Sequence, residues 1–294
     1  MHLSPRVAII STAVCLTVAI PAADPAAASG PPSVTMTISD NKSTVKGSLT
    51  QKSGPINFVV KAVGSAHQVT IFQIRKGYTT QRLQSNARTV QRAIEHGQQT
   101  QNDDGTFYSA NRWMEKNVIG FGGAFADAGS KATATVVLPA GTYYLSDNLG
   151  DAVGHLRKLQ VTSTPNRAAL PLPARTVVMD NEVFSGAKVL PAKGTIRLKN
   201  TTPDGKHWLE ALLQRVQPGT TASQFQAYAE GTSQDSSFFL PGGAGSDILS
   251  PGGVQLLTYS LAPGTYVLYN PLPGPDSVFN GYAARGMERI VTLR

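Results

Sequence analysis

The segment Leu138-Pro139-Ala140-Gly141-Thr142-Tyr143-Tyr144-Leu145 is written almost unchanged a second time, as Leu261-Ala262-Pro263-Gly264-Thr265-Tyr266-Val267-Leu268. A chain that carries the same turn-and-strand element in both halves reads as one unit written twice. In each copy Pro fixes φ, Gly tolerates positive φ, and Thr-Tyr-apolar then opens a strand. With 294 residues and 41% hydrophobic content there is material for two packed units of similar size. The 28 Gly and 19 Pro are spread among many Val and Thr, which favours short strands joined by turns. The expected class is all-β.

The flanking segments extend the repeat. Val34 to Ile38 alternates apolar and polar as a half-buried strand does. Ile56 to Val63, a turn at Gly64-Ser65, and His67 to Ile74 predict a hairpin, with Thr195 to Asn200 and His207 to Leu213 as its counterpart. The step from Ile56 to His67 equals that from Ile196 to His207. Each second strand leads to a Gly and a Thr pair, Gly77 with Thr79-Thr80 and Gly219 with Thr220-Thr221, where Thr is a workable N-cap. In the first copy Leu83, Ala87, Val90 and Ile94 share one helical face, with Arg82, Arg88 and Arg92 off it, and Gly97 is expected to end the helix. Such a basic amphipathic helix suits a membrane surface or the flank of a sandwich, and its small apolar face favours the sandwich. The stretch from His67 to Gly141 is longer than that from His207 to Gly264, which places an insertion at the helix and the polar loop Gln98 to Gly105. Glycine-rich turns are expected at Gly120 to Gly123 and Pro241 to Gly245. Each copy closes on a last strand, Leu156 to Val161 and Glu288 to Leu293.

The first residues read as a secretory signal: Arg6, an apolar run from Val7 to Ala22, then small residues at Ala26-Ala27-Ala28. Pro21, Asp24 and Pro25 stop that run short of the roughly 20 residues a spanning helix needs. The expected parts are a signal at 1–28, a first sandwich at 30–163, a Pro-rich linker at 164–175 and a second sandwich at 176–294, with no transmembrane segment after cleavage. Cys15, the single cysteine, lies inside the signal, so the mature chain has no disulfide, thiolate ligand or cysteine nucleophile. The net charge of +8 stays with the mature chain, because Arg6 and Asp24 cancel. A basic protein placed outside the cell, secreted or held in the envelope, adheres to anionic polymers by summed field, without specific nucleic-acid recognition.

The order of strand, Asn-containing turn, His, Gly-Thr-Tyr turn and Gly-Met in the second copy resembles the cupredoxin-like β-sandwich of plastocyanin-type proteins. The likeness covers most of both copies and implies two tandem Greek-key sandwiches, each with a helical insertion. It implies copper ligands at an upstream His, a Cys after the Gly-Thr-Tyr strand, a second His and an axial Met. His207 after Asn200 matches the upstream position and Met287 after Gly286 the axial one, but Asn270 stands at the Cys position. No histidine lies between Pro271 and Arg285. In the first copy His67 matches the upstream ligand, Asp147 replaces the Cys, and His155 after Gly154 replaces the Met. A blue-copper centre needs a thiolate, so it cannot form in either copy. His67, Asp147 and His155 remain as candidate ligands for non-blue Cu(II) or for Zn(II), with His207 and Met287 as poorer ones.

Other chemistry is absent by motif: there is no His-Glu-x-x-His helix, no Gly-x-Ser-x-Gly elbow and no Gly-Lys-Ser/Thr phosphate loop. His96 at the end of the first helix, Asp103-Asp104 in a polar loop, and Trp113 and Trp208 each fit ordinary structural roles as well as functional ones. The expectation is a metal-free, non-enzymatic exported binding or envelope module. A copper-binding protein using His67 and His155 is the first alternative, and a hydrolase with a site in the glycine-rich loops the second.

Overall fold

The computed structural model describes residues 29–100, 105–147, 154–180, 182–202, 207–274 and 281–294, with the backbone alone for 97–100. The segment read as a secretory signal lies outside them, as does Asp103-Asp104. In the first half the elements are β1 (Ser33–Ser39), β2 (Lys42–Lys46), β3 (Thr50–Val63), β4 (His67–Ile74), α1 (Thr80–Thr100), α2 (Thr106–Asn117), β5 (Val118–Ala126), β6 (Lys131–Leu138), β7 (Gly141–Ser146) and β8 (Arg157–Pro165). The second half has β9 (Arg175–Asp180), β10 (Val183–Gly186), β11 (Val189–Leu190), β12 (Lys193–Asn200), β13 (Leu212–Val216), α3 (Ala222–Ala229), β14 (Phe239–Gly245), β15 (Val254–Ser260), β16 (Gly264–Tyr269) and β17 (Glu288–Leu293).

The fold is all-β, a sandwich of two sheets with helices at its flank. In the first half β1 pairs antiparallel with β2 and parallel with β3, β3 pairs antiparallel with β6, and the start of β3 pairs parallel with β8. There β4 pairs antiparallel with β5 and β7, and β7 with β8. The second half repeats these pairings in the same senses: β9 with β10 and β12, β12 with β15, β11 with β17, β13 with β14 and β16, and β16 with β17. Gly54-Pro55 lets β3 cross from one sheet to the other, because Gly54 adopts φ 122° and Pro55 sits at the break in the ladder. Pro191-Ala192 makes the same crossing between β11 and β12. The buried hydroxyls of Tyr143 and Tyr266 each donate to the carbonyl four residues upstream, Pro139 and Ala262, both at 2.9 Å.

Three expectations change. β3 and β4 do not form a hairpin: β3 ladders with β1 and β6, β4 with β5 and β7, so the Gly64-Ser65 turn hands the chain from one sheet to the other. Gly97 does not end the first helix, which runs to Thr100, and a second helix, α2, follows. The glycine-rich stretches are strands rather than turns, with Gly120 to Gly123 inside β5 and Pro241 to Gly245 inside β14, so they form no loop site.

Those glycines join the halves. β14 pairs with β5 and β15 with β6, both antiparallel, so each sheet continues from one half into the other. A single apolar core runs from Val34 to Leu293 through both halves. Gln255, 1% exposed, receives the Gly123 amide at 2.9 Å and donates to the Gly123 carbonyl at 3.1 Å. A Cβ on Gly123 would fall 1.9 Å from the Val69 carbonyl oxygen, and one on Gly122 1.6 Å from Oε1 of Gln255. Only glycine allows this approach.

Candidate functional site

The positions matched to copper ligands are occupied by groups that satisfy one another. In the second half the buried Asn270 amide donates to the Met287 sulfur at 3.3 Å, while its oxygen accepts from the Leu272 amide at 3.1 Å. In the first half the Asp147 carboxylate accepts from the His155 amide at 2.8 Å and lies 3.3 Å from the His155 ring, with Arg157 at 4.0 Å. Each half thus brings the Cys position against the axial position. The upstream His does not join them. His67 is buried with Nε2 3.3 Å from the Ser65 hydroxyl and 3.7 Å from Asp40, whose carboxyl is held below its ordinary value mainly by the Ser65 hydroxyl. His207 faces Glu115 of α2 at 3.9 Å and the edge of the Tyr282 ring.

His67, Asp147 and His155 therefore do not converge, and among the described residues no three His, Cys, Asp or Glu side chains are grouped to share a metal ion. A guanidinium beside the one carboxylate in the set further disfavours a cation there. The residues do not fit a copper centre. His207 is also not the counterpart of His67. Thr70 lies opposite Gly123 and Ser146, and Leu212 lies opposite Gly245 and Tyr269. Counting back from these matched positions sets Gln68 against Glu210 and His67 against Leu209. Equal spacing in sequence had counted through a turn that the ladders do not hold constant.

The register leads to a different site. On β4, Val69 and Ile71 enter the core between the sheets, so Gln68, Thr70 and Phe72 point to the outer face, as the two-residue period requires. α1 lies across that face. Thr79 caps it by accepting from the Arg82 amide at 3.2 Å, and Leu83 packs with Phe72, Val118 and Trp208. Between helix and sheet is a cavity of about 510 Å³. Its helix side is Leu83, Ala87, Val90 and Ile94, and its sheet side carries Gln68, Thr70, Ser146, Glu210 and Asp247. Ligand pockets of roughly 300–1,000 Å³ with mostly apolar walls and a few convergent polar groups are the usual form of a small-molecule site.

Two carboxyls form the polar floor, Glu210 at 4% and Asp247 at 1% exposure. Gln68 donates to Asp247 at 2.6 Å and to Glu210 at 3.4 Å, and Thr70 donates to Asp247 at 2.6 Å. The Ile248 amide also donates to Asp247. Burial, and then the Asp247 charge, push the Glu210 carboxyl well above the ordinary carboxylate range. Burial also raises Asp247, with hydrogen bonds from Thr70, the Ile248 amide, Gln68 and Glu210 working in the opposite direction. Asp247 receives more hydrogen bonds than Glu210, which favours the negative charge there and the shared proton on Glu210.

No family model matches the chain, and neither does any curated protein. Solved structures that resemble part of it are auracyanins. The dithionite-reduced auracyanin from Roseiflexus castenholzii is 20% identical over 40% of this chain and 94% of its own, with a TM-score of 0.27. Auracyanin B is 21% identical over 43% and 93%, also at 0.27. Auracyanin A, a blue copper protein from Chloroflexus aurantiacus, is 12% identical over 40% and 99%, at 0.23. Superposition this loose carries nothing about ligand or activity, and the fold description rests on the strand pairings.

Neither Glu210 nor Asp247 stood out in the sequence. Glu210 follows Trp208-Leu209 in a run read as an alternating strand, and Asp247 sits between glycines and Ile248. One signal was present: a lone Glu at the start of an otherwise apolar stretch, Glu210 before Ala211-Leu212-Leu213, is buried with a partner or not at all.

Proposed function

We propose that this chain is an exported, non-enzymatic binding protein built from a duplicated cupredoxin-like sandwich that has lost its metal, and that its ligand enters the cavity beneath α1. The observation that carries the reading is the enclosed carboxyl pair at the base of an apolar cavity where the two halves meet. Glu210 and Asp247 come from the second half, while Gln68, Thr70 and the helix come from the first. Buried carboxyls are retained against their desolvation cost where a site uses them. Export is supported by the signal-like start.

The test is titration of the protein with the neutral dye Nile red, comparing wild type with Ala87→Trp, which fills the cavity from the helix side. Saturable one-to-one binding lost in the variant, at unchanged melting temperature, supports the site. Absence of saturable binding by the wild type sinks it. The exposed Arg82, Arg88 and Arg92 on the outer side of α1 support weak retention on anionic envelope polymer that ends at moderate salt.

A further inference from the structure

We infer that the cavity takes an amphiphilic organic cation, a primary or quaternary amine on an apolar body, with its nitrogen at Asp247 and its apolar part under α1. The inference rests on the binding reading above and narrows it to a ligand class. Its first ground is charge. The carboxyl pair shares a proton and keeps one negative charge, and none of the described residues lining the cavity is Lys, Arg or His. The donors to Asp247 are neutral: Thr70, Gln68 and a backbone amide. A buried charge without a counter-ion is costly, and a cationic ligand supplies the missing partner. Among the described lining residues the one other ionisable group is the exposed Glu95 at the helix end of the cavity, which also favours an approaching cation.

The second ground is shape. Val90 and Ile94 are apolar yet only half-buried, so α1 leaves part of its apolar stripe for an occupant rather than closing it against the sheet. Trp208 and Phe72 stand in the wall, and aromatic faces attract an organic ammonium. An anionic ligand would meet a carboxylate with no positive group to offset it. A neutral ligand would gain the apolar walls and leave the charge unanswered.

Three probes with one decyl chain separate these cases: decyltrimethylammonium, 1-decanol and decanoate, each below its micellar range, titrated into the full-length protein by calorimetry and tryptophan emission. The expected ranking is cation first, alcohol weaker by about tenfold, the difference a charged contact makes, and decanoate not bound. Asp247→Asn should remove the cation's advantage and leave the alcohol's affinity in place. Val90→Lys, on the half-buried helix face, puts a positive charge into the wall and should abolish cation binding even if the Asp247 variant fails to fold. Equal binding of all three probes, or preference for decanoate, overturns the inference while leaving the cavity as a binding site. Binding of none overturns both.

Discussion

Glu210→Gln is the sharpest test of the buried pair, because it keeps the shape of the side chain and removes its titration. The folded protein holds the Glu210 carboxyl well above its ordinary value, chiefly through burial. A carboxyl whose pKa is raised by folding stabilises the fold fully below its unfolded value, and that contribution is lost as pH rises through the folded value. Within that window the native state holds one more proton than the unfolded chain. Stability then falls by about 1.4 kcal/mol per pH unit from this group alone. For a chain of this size each kcal/mol moves the melting temperature by roughly 2–4 °C, so wild type should lose about 3–6 °C per pH unit that the variant keeps.

The amide introduced at that position donates to Asp247 without a proton to lose, so the variant retains the contact and escapes the slope. The assay is differential scanning calorimetry of both proteins from pH 4 upwards, read as the difference in melting temperature. Titrating groups away from the pair, including Asp40, Asp235 and Glu288, are common to both proteins and cancel, so the difference reports the Glu210–Asp247 pair. The curves should meet at acid pH and diverge above the ordinary carboxylate range, with the variant the more stable. Parallel curves across the whole range would refute the buried proton.

Tyr143→Phe and Tyr266→Phe each leave a partly buried carbonyl without its donor, so each should cost about 1 kcal/mol, and the two costs should agree within a few tenths in urea denaturation if the corners are equivalent. Thr221→Ala removes both arms of the capping box with Gln224 at the start of α3 and should lower stability by about 1 kcal/mol, measured the same way. Gly123→Ala should fail to yield folded protein by near-UV circular dichroism or lose several kcal/mol, roughly 3 or more, because its Cβ meets the Val69 carbonyl. Equilibrium dialysis should show no Cu(II) binding that His67→Ala and His155→Ala both abolish, since those rings face different carboxylates.

The repeated Pro-Gly-Thr-Tyr element pointed to the architecture because turn chemistry and two-residue alternation are local properties. Val34, Met36 and Ile38 alternate in sequence and are all buried in β1. Thr79 and Thr221 read as caps and act as caps, for the same reason. The choice of strand partner was not local. Ile56 to Val63 and His67 to Ile74 look like a hairpin from their spacing, yet the chain changes sheet between them, and nothing in a short turn distinguishes the two outcomes. α2 was legible in principle: Phe107, Ala110 and Met114 recur at helical spacing and pack inward, but the polar loop before them drew attention away. The glycines of β5 and β14 read as turns because glycine usually breaks strands. Here Gly120 and Gly122 leave room for Ile248 and Gln255 of the second half, while Gly123, Gly243 and Gly245 lie too close to strands of their own half for a side chain.

The joining of the two halves also explains where the candidate site lies. Antiparallel pairing of β5 with β14 sets the two halves across an approximate twofold axis, and Gln68 and Glu210, equivalent in register, are brought within 3.4 Å of one another. Residues at such an axis meet the residues that match them in register, so contacts form there that neither half has alone. Once the halves can diverge, one copy can keep an amide and the other a carboxyl. The amide then bridges Glu210 to Asp247, which lies opposite Glu210 as Phe125 lies opposite Gln68. The asymmetry continues above the sheet, where the first half carries α1 and α2 and the second only the shorter α3. A roof on one side of the axis and an acid floor from the other give a single cavity, which is why its chemistry could not be read from either copy alone.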